Sequence, residues 1–198
     1  LNSDSSDSKR HLSVLIFLVF PLLLSGTVHP NPGPTNSKTY SFSSCFWNAN
    51  SVMAHNFSKL ELLKSYNSIH RYDIICLAET FLDSTYLSND ERLLLDGYDL
   101  IRNDHPNDVK RGGVCIYVKN SLAFRVCTIS KLNKCIVIEI NINNKKGYVV
   151  CLYRSPSQTN DEFDDFLLNF ANTLQDISLL KPSFMMILGD FNAKSSSW

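Results

Sequence analysis

The sequence predicts an α/β sandwich, in which sheet layers are covered by helices. Three observations lead there. Short, β-branched apolar runs recur after residue 40, among them YDIICLA (72–78), VCIYV (114–118) and FMMIL (184–188). Two longer stretches carry apolar residues at helical spacing, each behind a Ser/Thr-x-x-Glu start. The order is strand, helix, strand, then several antiparallel strands, then helix and strand.

Residues 40–47 read as a first strand. Ser58-x-x-Glu61 predicts a helix start, with Leu60, Leu63, Tyr66 and Ile69 as its apolar stripe. Residues 72–78 are apolar on both faces, so they form a buried strand and complete a crossover unit. Residues 81–97 are mixed, looped or short-helical, and 98–101 are a weak strand. The segment 103–113, NDHPNDVKRGG, is a turn-rich loop. Strands follow at 114–118, 124–128, 135–142 and 148–153, the last two joined by a hairpin turn over 143–147. Thr159-x-x-Glu162 opens the second helix, whose stripe is Phe163, Phe166, Leu167, Phe170, Leu174 and Ile177. Asp161, Glu162, Asp164 and Asp165 match the helix dipole and read as a solvated helix start rather than a metal site. Pro182 closes that helix ahead of the strand at 184–188.

The chain has 198 residues, with 19 Lys+Arg against 19 Asp+Glu. A zero net charge excludes a nucleic-acid binder that works by bulk charge, and leaves an enzyme that meets phosphate at a few chosen positions. The apolar fraction of 44% excludes a disordered chain. Cysteines 45, 76, 115, 127, 135 and 151 form no C-x-x-C pair and have no histidine at zinc spacing. All but Cys127 lie in apolar, β-rich runs and read as small buried hydrophobes in a reducing compartment rather than a disulfide framework, with no thiolate metal site. Opening at Leu1 and closing at Trp198 after a serine run, the chain reads as a fragment.

Residues 1–40 form a leader ahead of a domain spanning 41–198. The apolar run 12–24 is too short for a membrane span and contains Pro21, so no stable span is predicted. Behind Lys9-Arg10 it reads as a signal peptide. With Asn31-Pro32-Gly33-Pro34 it reads equally as the approach to a Pro-rich linker. The same segment resembles viral-type ribosome-skipping peptides, which also occur at the front of some retroelement proteins. Thr27 and His29 stand where those peptides carry acidic residues.

Polar residues follow the carboxyl ends of the apolar strands: Asn48, Glu79, Tyr153 with Arg154, then Asp190 and Asn192. That is where layered α/β folds place an active-site rim. Taken singly, each has an ordinary reading: Asn48 a turn amide, Glu79 a helix cap or half an ion pair, Tyr153 a packed aromatic, Gly189–Asn192 a turn. Together, two carboxylates, two amides and a phenol suit one hard cation with oxygen ligands.

The motifs WNANSV (47–52), DIICLAETFL (73–82), RGGVCIYV (111–118), YRSPSQ (153–158) and GDFNAKSSSW (189–198) resemble the endonuclease domain of LINE-type (non-LTR) retrotransposons. That domain belongs to the exonuclease–endonuclease–phosphatase superfamily of DNase I-like folds. The resemblance covers residues 41–198. It implies a four-layer α/β sandwich of DNase I-like type, two packed mixed sheets flanked by helices, with the C-terminal part missing. It implies Mg2+, with Mn2+ as an alternative, and a DNA endonuclease that nicks target DNA for a reverse transcriptase domain downstream in the same polypeptide.

By the same resemblance, Glu79 matches the principal metal ligand and Asn48 the amide that assists at metal and phosphate. Tyr153 matches the phenol at the scissile phosphate. Asp190 matches the carboxylate that orients or deprotonates the attacking water, and Asn192 the amide that fixes water and phosphate. Arg154, Asn50 and Arg111 are expected DNA or phosphate contacts, with Arg102 and Lys110 as further candidates. Such an enzyme is intracellular and acts in the nucleus, while the signal-like run leaves secretion open.

The sequence departs from the family in one respect. The family's site also uses a C-terminal Asp and a Ser-Asp-His histidine, and histidines 11, 29, 55, 70 and 105 match neither place. The expectation is that residues 1–198 alone lack sheet strands, are catalytically poor or dead, and are unstable. Two alternatives stay open: another phosphoesterase of the superfamily, and an inactive retroelement remnant or interaction module with the same fold.

Overall fold

Side-chain alternation sorts the strands into two mixed sheets. A computed structural model of the chain describes residues 18–19, 42–86, 90–105 and 111–192. Its elements are β1 (Leu18–Val19), β2 (Ser44–Asn48), α1 (Ala54–His70), β3 (Ile74–Ala78), β4 (Tyr98–Asn103), β5 (Val114–Lys119), β6 (Phe124–Cys127), β7 (Cys135–Ile142), β8 (Lys145–Tyr153), α2 (Asn160–Leu179) and β9 (Phe184–Asp190). One sheet has the order β2-β3-β5-β4, the other β1-β9-β8-β7-β6. Within them β2 and β3 run parallel, as do β8 and β9, and the remaining pairs are antiparallel.

The period of two along each strand builds four layers. Ile74, Cys76 and Ala78 of β3 face the other sheet and meet Ile136, Ile138, Val149 and Cys151. Ile75 and Leu77 point the opposite way, onto Leu60 and Leu63 of α1. Val137, Val150 and Leu152 of the second sheet cover Phe166 and Ile177 of α2. The expected sandwich of two packed mixed sheets flanked by helices is therefore what these residues form.

Several local expectations change. The first helix begins at Ala54, behind an N-cap Met53 that makes no side-chain cap bond, so Ser58 lies inside the element. Asn56 and Phe57 have φ of 57° and 64°, which makes the first turn irregular and lets Phe57 enter the core. Tyr66 and Ile69 are exposed, because Tyr66 stacks on Tyr72 and tilts against His70 at the surface, and Asn67 takes the inward place. The hairpin turn is only Asn143-Asn144, both at positive φ, which suits the right-handed twist of flanking strands. Gly147 lies within β8 because a Cβ there would fall 2.2 Å from the Phe184 ring. The Thr159 capping box forms as expected, with both reciprocal bonds in place.

The leader readings of residues 1–40 fall outside the described residues except at Leu18–Val19. That pair joins the β9 edge antiparallel, Leu18 opposite Ile187 and Val19 opposite Met186, ahead of the domain start expected near Ser41. Among the described residues no helix is long and apolar enough to cross a membrane. All six cysteines are free thiols, and burial pushes the Cys135 thiol up to about 12, so it is a packing group at neutral pH.

On the α2 side of the second sheet, Glu139 accepts from Tyr148 Oη at 2.6 Å and pairs with Lys146 and Arg125, each at 2.9 Å. The Tyr148 hydrogen bond first, then Lys146 and Arg125, hold its carboxyl at about 2, below the ordinary 4.5. A depressed folded-state pKa stabilises above 4.5, and that contribution is lost as pH falls towards 2. Thermal melts of wild type and Glu139→Gln should therefore diverge at neutral pH and converge as pH drops through that window.

Candidate active site

Strand register brings the polar residues together in pairs. Asn48 lies beside Ala78 across the β2/β3 pair, which sets it next to Glu79. Tyr153 lies beside Asp190 across the β8/β9 pair. Both parallel pairs end at the same rim, and sheet packing closes the gap between them. The Asn48 side chain spans it, its Nδ2 donating to Glu79 Oε1 at 3.1 Å and to Asp190 Oδ2 at 2.6 Å. Its Oδ1 accepts from the Asn50 backbone N–H at 3.0 Å, which fixes which end of the amide faces the carboxylates.

The backbone around Glu79 is held on both sides. Ser51 and Val52 donate to the carbonyls of Glu79 and Thr80, while Thr80 and Phe81 donate to Gly113 and Gly112. Asn50, Ser51, Glu79 and Phe81 all adopt positive φ between 42° and 72°. Such conformations cost about 1–3 kcal/mol each and persist where the surroundings over-determine them, as functional sites do. Gly113, at φ 79°, is required by contact as well, since a Cβ there would lie 2.6 Å from Thr80 Oγ1. Lys59 Nζ ties the loop after Asn48 by bonding the carbonyls of Ala49 and Asn50 at 2.6 and 2.7 Å. Nothing local in the sequence marks Lys59 for that task.

Tyr153 is buried in the inter-sheet core, with its hydroxyl near two carboxylates. Burial, then the charges of Glu79 and Asp190, push its pKa well up, so the phenol keeps its proton at neutral pH. Asn192 folds back over Asp190, its N–H donating to Asp190 Oδ1 at 3.0 Å and its Nδ2 to the Arg154 carbonyl at 2.7 Å. Asn192 thus ties the end of β9 to the end of β8.

The basic residues divide differently from expectation. Arg154 is turned inward, its guanidinium donating to the carbonyls of Phe191 and Asn192 and to Gln158 Oε1 at 3.3 Å, over the Phe163 ring. It clamps the β9 turn rather than reaching outward, because the unpaired carbonyls beyond β9 offer it closer partners than solvent does. Arg102 is likewise engaged, by Asp104 and the carbonyls of Asp83 and Tyr86. Asn50, beside Asn48, and Arg111 are exposed, and Lys110 lies outside the described residues. His105 is near the Arg111 and Lys134 charges, which with burial as the larger cause lower its pKa.

The donor set suits a hard cation. Glu79 and Asp190 offer carboxylate oxygens on one rim, and an uncharged amide bridges them. Mg2+ is commonly held by one or two carboxylates with water and substrate phosphate completing its shell. Among the described residues no group of three or more His, Cys, Asp or Glu side chains converges.

This rim, in this sandwich, defines a class. The profile of the Endonuclease/Exonuclease/phosphatase family matches residues 45–198, and the chain belongs to that family. No curated protein sequence matches it. Solved structures share the fold. An AP endonuclease from Leishmania major is 14% identical with a TM-score of 0.55, over 69% of this chain and 47% of its own. A humanised TDP2 from D. rerio is 16% identical at 0.57, over 78% and 68%. The endonuclease domain of TRAS1, a telomere-specific non-LTR retrotransposon, is 14% identical at 0.54, over 80% and 62%. The chain thus spans about half to two thirds of the length of these structures.

Proposed function

We propose that the protein hydrolyses phosphodiester bonds of DNA with a divalent cation, Mg2+ or Mn2+, as the nicking endonuclease of a mobile element. One observation carries the reading: Asn48 joins Glu79 and Asp190 across the two sheets, at the rim where Tyr153 also ends its strand. A cation held by Glu79 would supply positive charge for the phosphoryl oxygens. Asp190, aimed by Asn48 and the Asn192 N–H, takes the proton of the attacking water. The Tyr153 phenol, which keeps its proton, donates to a non-bridging oxygen. Asn192 and the inward Arg154 keep the Asp190 turn from moving.

The retroelement-like YRSPSQ and GDFNAKSSSW segments support DNA as substrate, a reverse transcriptase in the same polypeptide as partner, and action in the nucleus. The test is conversion of supercoiled plasmid to nicked circle by the protein in its longest expressed form. Nicking is expected in Mg2+ and absent in EDTA. Nicking that persists in EDTA contradicts the reading.

A further inference from the structure

A groove of about 540 Å3 opens beside Tyr153, between the segment 131–134 and the start of α2. Lys134 lies on its wall, one residue ahead of β7. Its place is set by register: the Tyr153 N–H donates to the Lys134 carbonyl at 2.9 Å, so the two residues face each other across the strand pair. The ammonium accordingly sits 5.4 Å from the centre of the Tyr153 ring. Gly112 makes room for the stem, since a Cβ there would meet Lys134 Cε at 3.1 Å and Nζ at 3.2 Å. The glycine pair after Arg111 thus serves two neighbours, Gly113 clearing Thr80 and Gly112 clearing Lys134.

Lys134 is partly buried, yet among the described residues no carboxylate stands within ion-pair distance of its ammonium. Glu79 and Glu162 act on it only from farther away. A partly buried cation held over an aromatic face, with no carboxylate of the described residues in contact, is placed to receive an anion. The groove beside it is also lined by the donors Lys131, Ser155 and Gln158, while Glu162 and Asp165 stand on its α2 wall, so a phosphate is accommodated at the Lys134 end of the groove, beside Tyr153.

We propose that Lys134 is a substrate-binding residue, whose ammonium contacts a non-bridging oxygen of a DNA phosphate lying in the groove beside Tyr153. The proposal rests on the phosphodiesterase reading above. Arg154, the neighbour of Tyr153 along the chain, is spent on carbonyls and leaves that task to another cation. A lysine meets phosphate as a point charge, so the contact adds affinity without base preference.

Duplex DNA binding is followed by fluorescence anisotropy at several salt concentrations, beside nicking kinetics. Each neutralised phosphate contributes about 0.9 to the slope of log Kobs against log salt. Lys134→Met keeps the stem and should flatten the slope by about that amount, and raise KM about tenfold with kcat changed far less. Lys134→Arg should restore both. Lys145→Met, at the opposite end of β8, should change neither. Thermal melts identify a variant that fails to fold, in which case Lys134→Gln replaces Lys134→Met. Unchanged slope and KM in a folded Lys134→Met, with wild type binding and nicking, overturn the inference alone. A wild type that neither binds DNA nor nicks it overturns the phosphodiesterase reading and the inference together.

Discussion

Replacing Asp190 with Asn lowers the rate of plasmid nicking about 10³-fold and leaves the fold in place, if Asp190 is the group that takes the water's proton. The carboxylate is nearly buried, and it accepts from Asn48 Nδ2 at 2.6 Å and from the Asn192 N–H at 3.0 Å. An asparagine there preserves the size of the side chain. It also turns one acceptor into a donor, which cannot take a proton and faces the Asn48 amide badly. One carboxylate, Glu79, remains for a cation, so cation binding should survive better than turnover. The readouts are the single-turnover nicking rate and a melt recorded in parallel. A rate within tenfold of wild type, in a folded variant, would remove Asp190 from the base role.

Arg154→Met should unfold at markedly lower urea, with a loss of about 2–4 kcal/mol. The guanidinium satisfies two backbone carbonyls beyond β9, and its removal leaves them facing an apolar side chain beside Phe163. Breaking bonds to a buried charged donor costs more than breaking a neutral pair, because both carbonyls lose a strong partner at once. The same carbonyls belong to the turn that carries Asp190, so activity should fall with stability. A urea midpoint corresponding to less than about 1 kcal/mol of change would show that Arg154 is not the clamp.

Much of the fold was legible because burial writes a simple pattern. Residues 74–78 are apolar on both faces, and they are sheathed on both faces by core. The five polar positions at strand ends were legible for a related reason, since parallel strands deliver their carboxyl ends to one rim. What escaped the sequence depends on contacts distant along the chain. The Ser58 box is a local pattern, but the Ser51 and Val52 bonds to Glu79 and Thr80 fix where the chain enters the helix. Arg154 reads as an outward charge until the carbonyls of Phe191 and Asn192 are placed beside it. Lys134 stands in a polar stretch without a motif, and only its register with Tyr153 marks it. The leader pair Leu18–Val19 had no strand signal of its own, being part of an apolar run without alternation.

The most direct test of the central claim is the plasmid assay on the protein in its longest expressed form, wild type beside Glu79→Gln, over a range of Mg2+ concentrations. The account predicts nicking that saturates with Mg2+ in wild type and is lost in Glu79→Gln at the same concentrations. Equal nicking by the two proteins, or nicking indifferent to Mg2+, would contradict it.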